Sequence, residues 1–357
     1  MSRPLLSFLL IAYNQEAFVE EALEGAFSQT WSPLEILLVD DCSSDRTFEI
    51  AQRLAAKYRG PHSVRCLRTP RNGGIGRSIN LAMQHCRGEL IVGSAADDVS
   101  LPHRCAALFE AWEQTGRRAT SLFSCYRTIT ASGQDLGVGG TRGDPGEPTR
   151  FRPQIGTLEE FLTTKWPVVV GCTHAWSPRL FEFFGPLTSD LEDLVLSFRS
   201  LAIGEMLYVH EPLVKYRRHG NNVSFFAGGD DTRSFEHRER RLRWVDEQTV
   251  AAYENMLADL ALLRERGRLR ADECARLEAI ARRERDWYAT ERQLMDAPLG
   301  GRLRLIAGVA ARGQWREALG FLPRALPRRM YRTLYEWRRR RAARRATPNP
   351  LRNPVTV

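Results

Sequence analysis

The residues of this chain best equipped for chemistry are carboxylates standing at the ends of apolar runs. Ile36–Val39 delivers Asp40 and Asp41, and Leu90–Val92 passes through Gly93 and Ser94 to Asp97 and Asp98. A strand ending in acid can build a hard-cation site, because carboxylate oxygens suit Mg2+ or Mn2+. Such a pair can equally accept hydrogen bonds from the N–H of a base and from a ribose hydroxyl. Between the two pairs, RNGGIGRSIN at 71–80 sets glycines that admit a ligand close to the backbone beside Arg71 and Arg77, whose charge suits phosphate. Taken singly each is a weak signal. Asp favours turns and helix caps on its own account, and Gly73–Gly74 serves an ordinary tight turn equally well.

The elements that must position these groups alternate in type. Leu6–Ala12 reads as a buried strand, and 16–29 as a helix with Phe18, Ala22 and Ala26 on one face. Glu35–Val39 reads as a second strand, followed by a helix to Arg59 capped by Asp45. Val64–Leu67, Ile75–His85 and Leu90–Val92 continue as strand, helix and strand. That alternation predicts an α/β fold with a Rossmann-like, mostly parallel central sheet flanked by helices. Ligands bind such sheets outside the carboxyl ends of the strands, where Asn14, Asp40–Asp41, Arg71–Asn72 and Asp97–Asp98 fall. A Gly-, Pro- and Thr-rich stretch over 133–153 predicts a long loop. Helical periodicity then runs from Phe235 to Met295 with a break at Gly267, which predicts an antiparallel pair, and 302–345 reads as helical and very basic. The expected organisation is an α/β domain over 1–226, an α-helical C-terminal extension over 227–323, a basic amphipathic helix over 324–345 and a proline-containing disordered tail over 346–357.

Hydrophobic residues at 43% and charged residues at 27% fit a globular chain in water, and no apolar run reaches the roughly 18–20 residues of a membrane-spanning helix. The 7 cysteines lack any C-x-x-C pair, which argues against a disulfide framework or a zinc site and for a reducing compartment. Charge is unevenly placed. Residues 1–229 hold 23 basic and 25 acidic side chains, whereas 230–357 hold 29 arginines against 18 acids. The pattern reads as a near-neutral module followed by a basic appendage for an anionic partner. Between Arg324 and Arg345, 10 arginines accompany a single acid, Glu336, and Met330, Leu334 and Trp337 recur at i, i+4 and i+7. A basic amphipathic helix of this kind suits an anionic membrane surface; a solvated helix or an oligomer contact are the alternatives. No nucleic-acid module is recognisable, so no nucleic-acid partner is expected.

Taken together and in order, IAYNQEAFVEEAL at 11–23, ILLVDDCSSDRT at 36–47, RNGGIGRSIN at 71–80 and SAADDVSLP at 94–102 resemble the family 2 glycosyltransferases. GPLTSDLEDLVLSFR at 185–199 and EPLVKYRRHGNNVS at 211–224 extend the resemblance, which covers about residues 5–226. It implies the GT-A fold and an inverting, nucleotide-sugar-dependent enzyme of the bacterial cell-surface polysaccharide type, with Mn2+ or Mg2+ as cofactor. By the same resemblance Ala12, Tyr13 and Asn14 border the base, Asp40 holds it with Asp41 nearby, and Arg71 and Arg77 face the nucleotide. Asp97 binds the metal, with Asp98 beside it and next to the nucleotide. Asp193 is the catalytic base, adjacent to Glu192. Arg217, Arg218 and His219 sit near the leaving diphosphate, and His219 is also a candidate metal ligand.

A helix over Leu191–Leu201 would point Glu192 and Asp193 about 100° apart, so that one of them faces the cleft, while Asp190 reads as its cap. Trp166 and His174, with Trp176, either stack on sugar at the diphosphate and acceptor side or belong to the core. One departure stands out: where the family often reads D-x-D-D, this chain has Ala95-Ala96-Asp97-Asp98, without the first acid. The implied partners are a nucleoside-diphosphate sugar, UDP-linked in preference, and a glycan or lipid-linked acceptor. The implied location is the cytoplasm, at the inner face of the cell membrane. A non-catalytic nucleotide-sugar or glycan-binding relative is the alternative that the missing acid supports.

Overall fold

The computed structural model describes residues 3–139, 157–163, 169–219, 222 and 235–326, together with 329, 330, 332, 333, 336 and 337. Trp166, Leu334, most of the 133–153 stretch and the 346–357 tail lie outside the described residues.

The first half alternates as the apolar runs require. Strand β1 (Leu6–Ala12) leads to α1 (Val19–Phe27), β2 (Leu34–Asp40) to α2 (Thr47–Lys57), and β3 (Ser63–Arg68) to α3 (Ile75–Met83). Then come β4 (Ile91–Ala95), β5 (Val99–Ser100) and α4 (Arg104–Gln114). After β6 (Ala119–Thr130) and β7 (Asp135–Gly139) the order is α5 (Leu158–Thr163), β8 (Ala175–Trp176), α6 (Arg179–Phe184), α7 (Glu192–Ile203) and β9 (Glu205–Arg218). The C-terminal part is helical: α8 (Phe235–Glu265), α9 (Ala271–Asp296), α10 (Leu299–Ala311) and α11 (Trp315–Ala325). The α/β fold with a helical extension is therefore the one the sequence predicts.

The sheet order is β3-β2-β1-β4-β8-β6-β9-β5, with β7 on β6. Strand β1 runs parallel to β2 and β4, β2 parallel to β3, and β6 parallel to β9 over most of its length. The short β8 is antiparallel to both β4 and β6, and β5 is antiparallel to β9. Phe8, Leu10, Ile36 and Leu38 are buried among Val19, Ala22, Leu23 and Ala26 of α1, so β1 and β2 read as unbroken apolar runs because helices cover the sheet.

Two expectations shift. Helix α1 begins at Val19 and not at Glu16, because Gln15 O already accepts the N–H groups of Phe18 and Val19 in a turn. The start of the expected 133–153 loop is instead β7, a hairpin partner of β6 in which Gly137 adopts φ 101° and Asp135 pairs with Arg127.

The chain forms two compact units, residues 1–230 with 251–284, and residues 231–250 with 285–357. Within the first, the buried Arg199 of α7 donates to both carboxylate oxygens of Asp259 on α8, at 2.8 and 3.1 Å. Within the second, Leu294, Ile306, Val309, Ala318 and Phe321 make a small core, with Trp287 stacked on Phe321 at 4.2 Å.

Candidate functional site

Three loops at the carboxyl ends of β1, β2 and β4 are laced together. Asn14 follows β1 at φ 50°, a left-handed conformation that its short amide tolerates. Its Oδ1 accepts the Ser44 N–H at 2.8 Å, and its own N–H donates to Ser43 Oγ at 2.9 Å. The Gln15 N–H donates to Thr47 Oγ1 at 2.7 Å. Ala12 is buried at the strand end, and Tyr13 is exposed beside it.

Asp40 and Asp41 take different tasks. Asp40 is fully buried; it accepts the Ser43 N–H at 2.9 Å and the Ser43 hydroxyl, and lies 3.2 Å from Arg68 Nε. Its carboxylate, expected to hold a base, is engaged from within by its own turn. Asp41 accepts the Thr69 hydroxyl at 2.9 Å and the N–H groups of Gly73 and Gly74 at 3.0 and 2.7 Å. It therefore pins the glycine turn at the head of α3. Gly74 has φ 86°, and a Cβ there would stand 2.1 Å from Asp190 Oδ2. Only glycine allows that approach. Asp190, read from sequence as a helix cap, instead accepts the Gly76 N–H at 3.0 Å and ties the start of α7 to the glycine turn. Arg71 and Arg77 are exposed beside the turn, and their guanidinium groups have no hydrogen bond or ion pair among the described residues.

The third loop carries Asp97 and Asp98. Pairing of β5 with β9, Ser100 opposite Val214, brings the end of β9 back over this loop. Asp98 turns inward: its Oδ1 accepts the Arg217 N–H at 2.7 Å, and the Cys172 thiol donates to its carboxylate. Burial, and then the charge of Asp97, hold the Asp98 carboxyl well above its ordinary range. Asp98, expected at the metal and nucleotide, is engaged here within the protein by these bonds. Arg217, expected at the diphosphate, is likewise engaged within the protein. It is buried, donating to Asp97 O at 2.9 Å, to Ala131 O at 3.1 Å and to the Glu21 carboxylate, with its guanidinium 5.1 Å from the Phe18 ring. Arg218 follows it at the strand end, half-buried.

Asp97 keeps its carboxylate at the edge of the site. Its Oδ2 lies 2.9 Å from His219 Nε2 and 3.4 Å from Gln15 Nε2, and the His219 ring rests 4.9 Å from Phe18. Cis ligands of an octahedral ion at roughly 2.1 Å stand about 3 Å apart, so the Asp97–His219 separation fits shared coordination of a divalent ion. Among the described residues no three His, Cys, Asp or Glu side chains gather into a metal cluster. Ala95, where the first acid is missing, packs instead with Cys172, Val214 and Tyr216.

A second group of acids opens α7. Burial raises the Asp193 carboxyl to about 6, against the pull of the Leu194 N–H, which donates to Oδ1 at 2.8 Å. Burial, followed by the Asp193 charge, holds Glu192 well above its ordinary range. A Cβ on Gly171 would stand 2.4 Å from Glu192 Oε1, and the next residue is the Cys172 that bonds Asp98. The short turn Gly171–Thr173 thus touches both acid groups at adjacent residues.

Of the two expectations for His174, sugar contact or core, its burial matches the core. It is fully buried, with Nε2 2.7 Å from Ser121 Oγ and burial lowering its pKa to about 3, and Trp176 lies in the same core. Sequence reasoning missed Gln15, Glu21, Gly171 and Cys172, as well as the buried Arg104, which braces the Asp97 loop by donating to Gly93 O at 2.6 Å and Ser100 Oγ at 2.8 Å. Gln15 could have been found from its place beside Asn14; the others carry no local signal.

A mostly parallel sheet whose carboxyl-end loops gather a glycine turn, exposed arginines and acids defines an α/β domain built to bind a ligand beyond its strand ends. Residues 7–177 match the model of Glycosyl transferase family 2, and the domain they form belongs to that family. An uncharacterized glycosyltransferase of Rickettsia typhi is 25% identical over 224 residues, covering 60% of this chain and 64% of its own length. One from Rickettsia prowazekii is 24% identical over 224 residues with the same coverage. The chain thus spans slightly less than two thirds of these relatives. The crystal structure of S. aureus TarS 1–349 in complex with UDP-GlcNAc is similar at a TM-score of 0.48 and 16% identity, over 94% of this chain and 91% of that one.

Proposed function

We propose that this protein moves a sugar from a nucleoside-diphosphate donor, UDP-linked in preference, to a hydroxyl of a glycan or lipid-linked acceptor, inverting the anomeric centre. The observation that carries the reading is the turn Gly171–Thr173. At adjacent residues it meets Glu192, the sequence neighbour of Asp193, whose carboxyl burial raises to about 6, and Asp98, the sequence neighbour of the Asp97 that contacts His219. In this reading Tyr13 and Asn14 border the base, and Arg71, Arg77 and Arg218 meet the phosphates. The acceptor oxygen attacks C1 as the bond from C1 to the diphosphate oxygen breaks, and Asp193 takes the acceptor proton. A carboxylate with pKa about 6 is ionised at neutral pH and still basic enough for that transfer. Burial, and then the charge of Asp193, favour the neutral form of Glu192 beside it. Asp97 and His219 would hold Mn2+ or Mg2+, which when bound offsets charge developing on the leaving diphosphate.

The test is nucleoside-diphosphate release from a panel of nucleotide sugars in the presence of Mn2+. Release by the wild type and its loss in Asp193→Asn, with donor binding retained, is the expected result. Ala95 in place of an acid favours the alternative of a non-catalytic binder. Donor binding by the wild type without any release, across donors and acceptors, would establish that alternative.

A further inference from the structure

Helices α10 and α11 leave large apolar side chains in water. Leu299 and Leu303 on α10, and Trp315, Leu319 and Leu322 on α11, are 46% to 65% exposed. The same two helices bury Ile306, Val309, Ala318 and Phe321, so their inner stripe is already satisfied. On α11 the exposed residues recur at i, i+4 and i+7, which makes a second stripe beside the buried one. Arg302 Nη1 donates to the Leu326 carbonyl at 2.9 Å. The start of α10 therefore meets the end of α11, and Leu299, Leu303 and Leu322 lie at the same end of this hairpin.

Charge decides what such a face can meet. Residues 299–325 contain Arg302, Arg304, Arg312, Arg316 and Arg324 against one acid, Glu317. A second copy would bring the same arginines and repel; an anionic surface would attract. Leucine and tryptophan interleaved with arginine match the boundary between lipid headgroups and acyl chains, where apolar stems bury and guanidinium groups stay with phosphate.

We infer that the α10–α11 hairpin is a docking face for an anionic lipid bilayer, with Trp315, Leu319 and Leu322 entering the headgroup boundary and the flanking arginines meeting lipid phosphates. This places the contact ahead of the 324–345 segment that composition alone suggests. Arg332 of that segment is held in ion pairs with Glu236 and Glu336. The inference is independent of sugar transfer.

The experiment is co-sedimentation of the full chain with vesicles of phosphatidylcholine alone and of phosphatidylcholine mixed with phosphatidylglycerol, with sedimentation velocity run in parallel. The wild type should bind the mixed vesicles and largely ignore the neutral ones. Trp315→Ala and Leu319→Gln should each weaken binding by roughly tenfold, as expected for removing one inserted apolar side chain, without lowering the melting temperature. Arg304→Gln with Arg312→Gln should weaken it further. Stripe variants that bind as tightly as the wild type would overturn the inference, as would equal or absent binding of the wild type to both vesicles. A dimer that Leu319→Gln dissociates, with no vesicle binding, would assign the stripe to self-association instead.

Discussion

Asp193 shows how much of a carboxylate's chemistry is set by its surroundings. Burial lifts its pKa to about 6, so the rate of transfer should climb as pH rises through about 6 and then level, read from the pH profile of turnover. Asp193→Asn should lower turnover by about 10²- to 10⁴-fold, the usual loss for a general base. Stability should respond with the opposite sign. The folded-state pKa lies above the unfolded value, so ionising Asp193 in the native protein costs stability as pH rises through about 6. Asp193→Asn should therefore raise the melting temperature near neutrality and leave it unchanged well below pH 4, where both states are protonated. At the other acid group, Asp97 and His219 would supply the proposed metal with one oxygen and one nitrogen, too few to hold a hard ion tightly. Mn2+ should bind weakly to the protein alone and more tightly with UDP present. Asp97→Ala or His219→Ala should abolish that gain, which titration calorimetry with and without UDP would show. Tight binding without nucleotide would refute the two-ligand reading.

Among the elements, the glycine turn before α3 and the head of α7 act as one unit. Asp41 holds two N–H groups of the turn and Asp190 a third. Gly74→Ala puts a Cβ against the Asp190 carboxylate and imposes a left-handed conformation on alanine. The conformational part alone should cost about 1–2 kcal/mol, with the clash adding to it. Gly74→Ala combined with Asp190→Ala should recover the clash and not the conformational cost, which urea unfolding of the single and double variants would separate. Asp40 belongs to the turn at the end of β2 in the same way. Its buried carboxylate supports Ser43 and Arg68, so Asp40→Ala should cost on the order of 1–3 kcal/mol of stability, with nucleotide affinity falling alongside it.

At the scale of the whole molecule, the α/β sheet and the second half of α8 belong to one compact unit. Arg199 and Asp259 are buried in it and bonded at two points. Arg199→Met leaves a buried carboxylate without its partner and should cost roughly 3–5 kcal/mol, whereas Arg199→Met with Asp259→Leu should recover most of that loss. Calorimetric unfolding of the single and double variants would measure the difference. No helix among the described residues is long and apolar enough to cross a membrane.

By itself the sequence determined the alternation of strands and helices from Leu6 to Val92, because those elements are specified by local apolar periodicity. It also determined which loops carry acids, glycines and arginines, and that the excess charge is C-terminal, since these are properties of residues and their order. Tertiary structure alone decided which side chains of an adjacent pair face outward. Asp97 stays at the site while Asp98 turns in, because β9 returns antiparallel to β5 and places the Arg217 N–H against Asp98. Arg217 and His219, two residues apart, divide by the same register: the guanidinium is enclosed by carbonyls from the end of β6, and the imidazole reaches Asp97. His174, indistinguishable in sequence from a binding residue, is core because β8 is inserted between β4 and β6. Those outcomes rest on pairings between segments distant in sequence, and a chemical motif read along one segment contains no information about its partner.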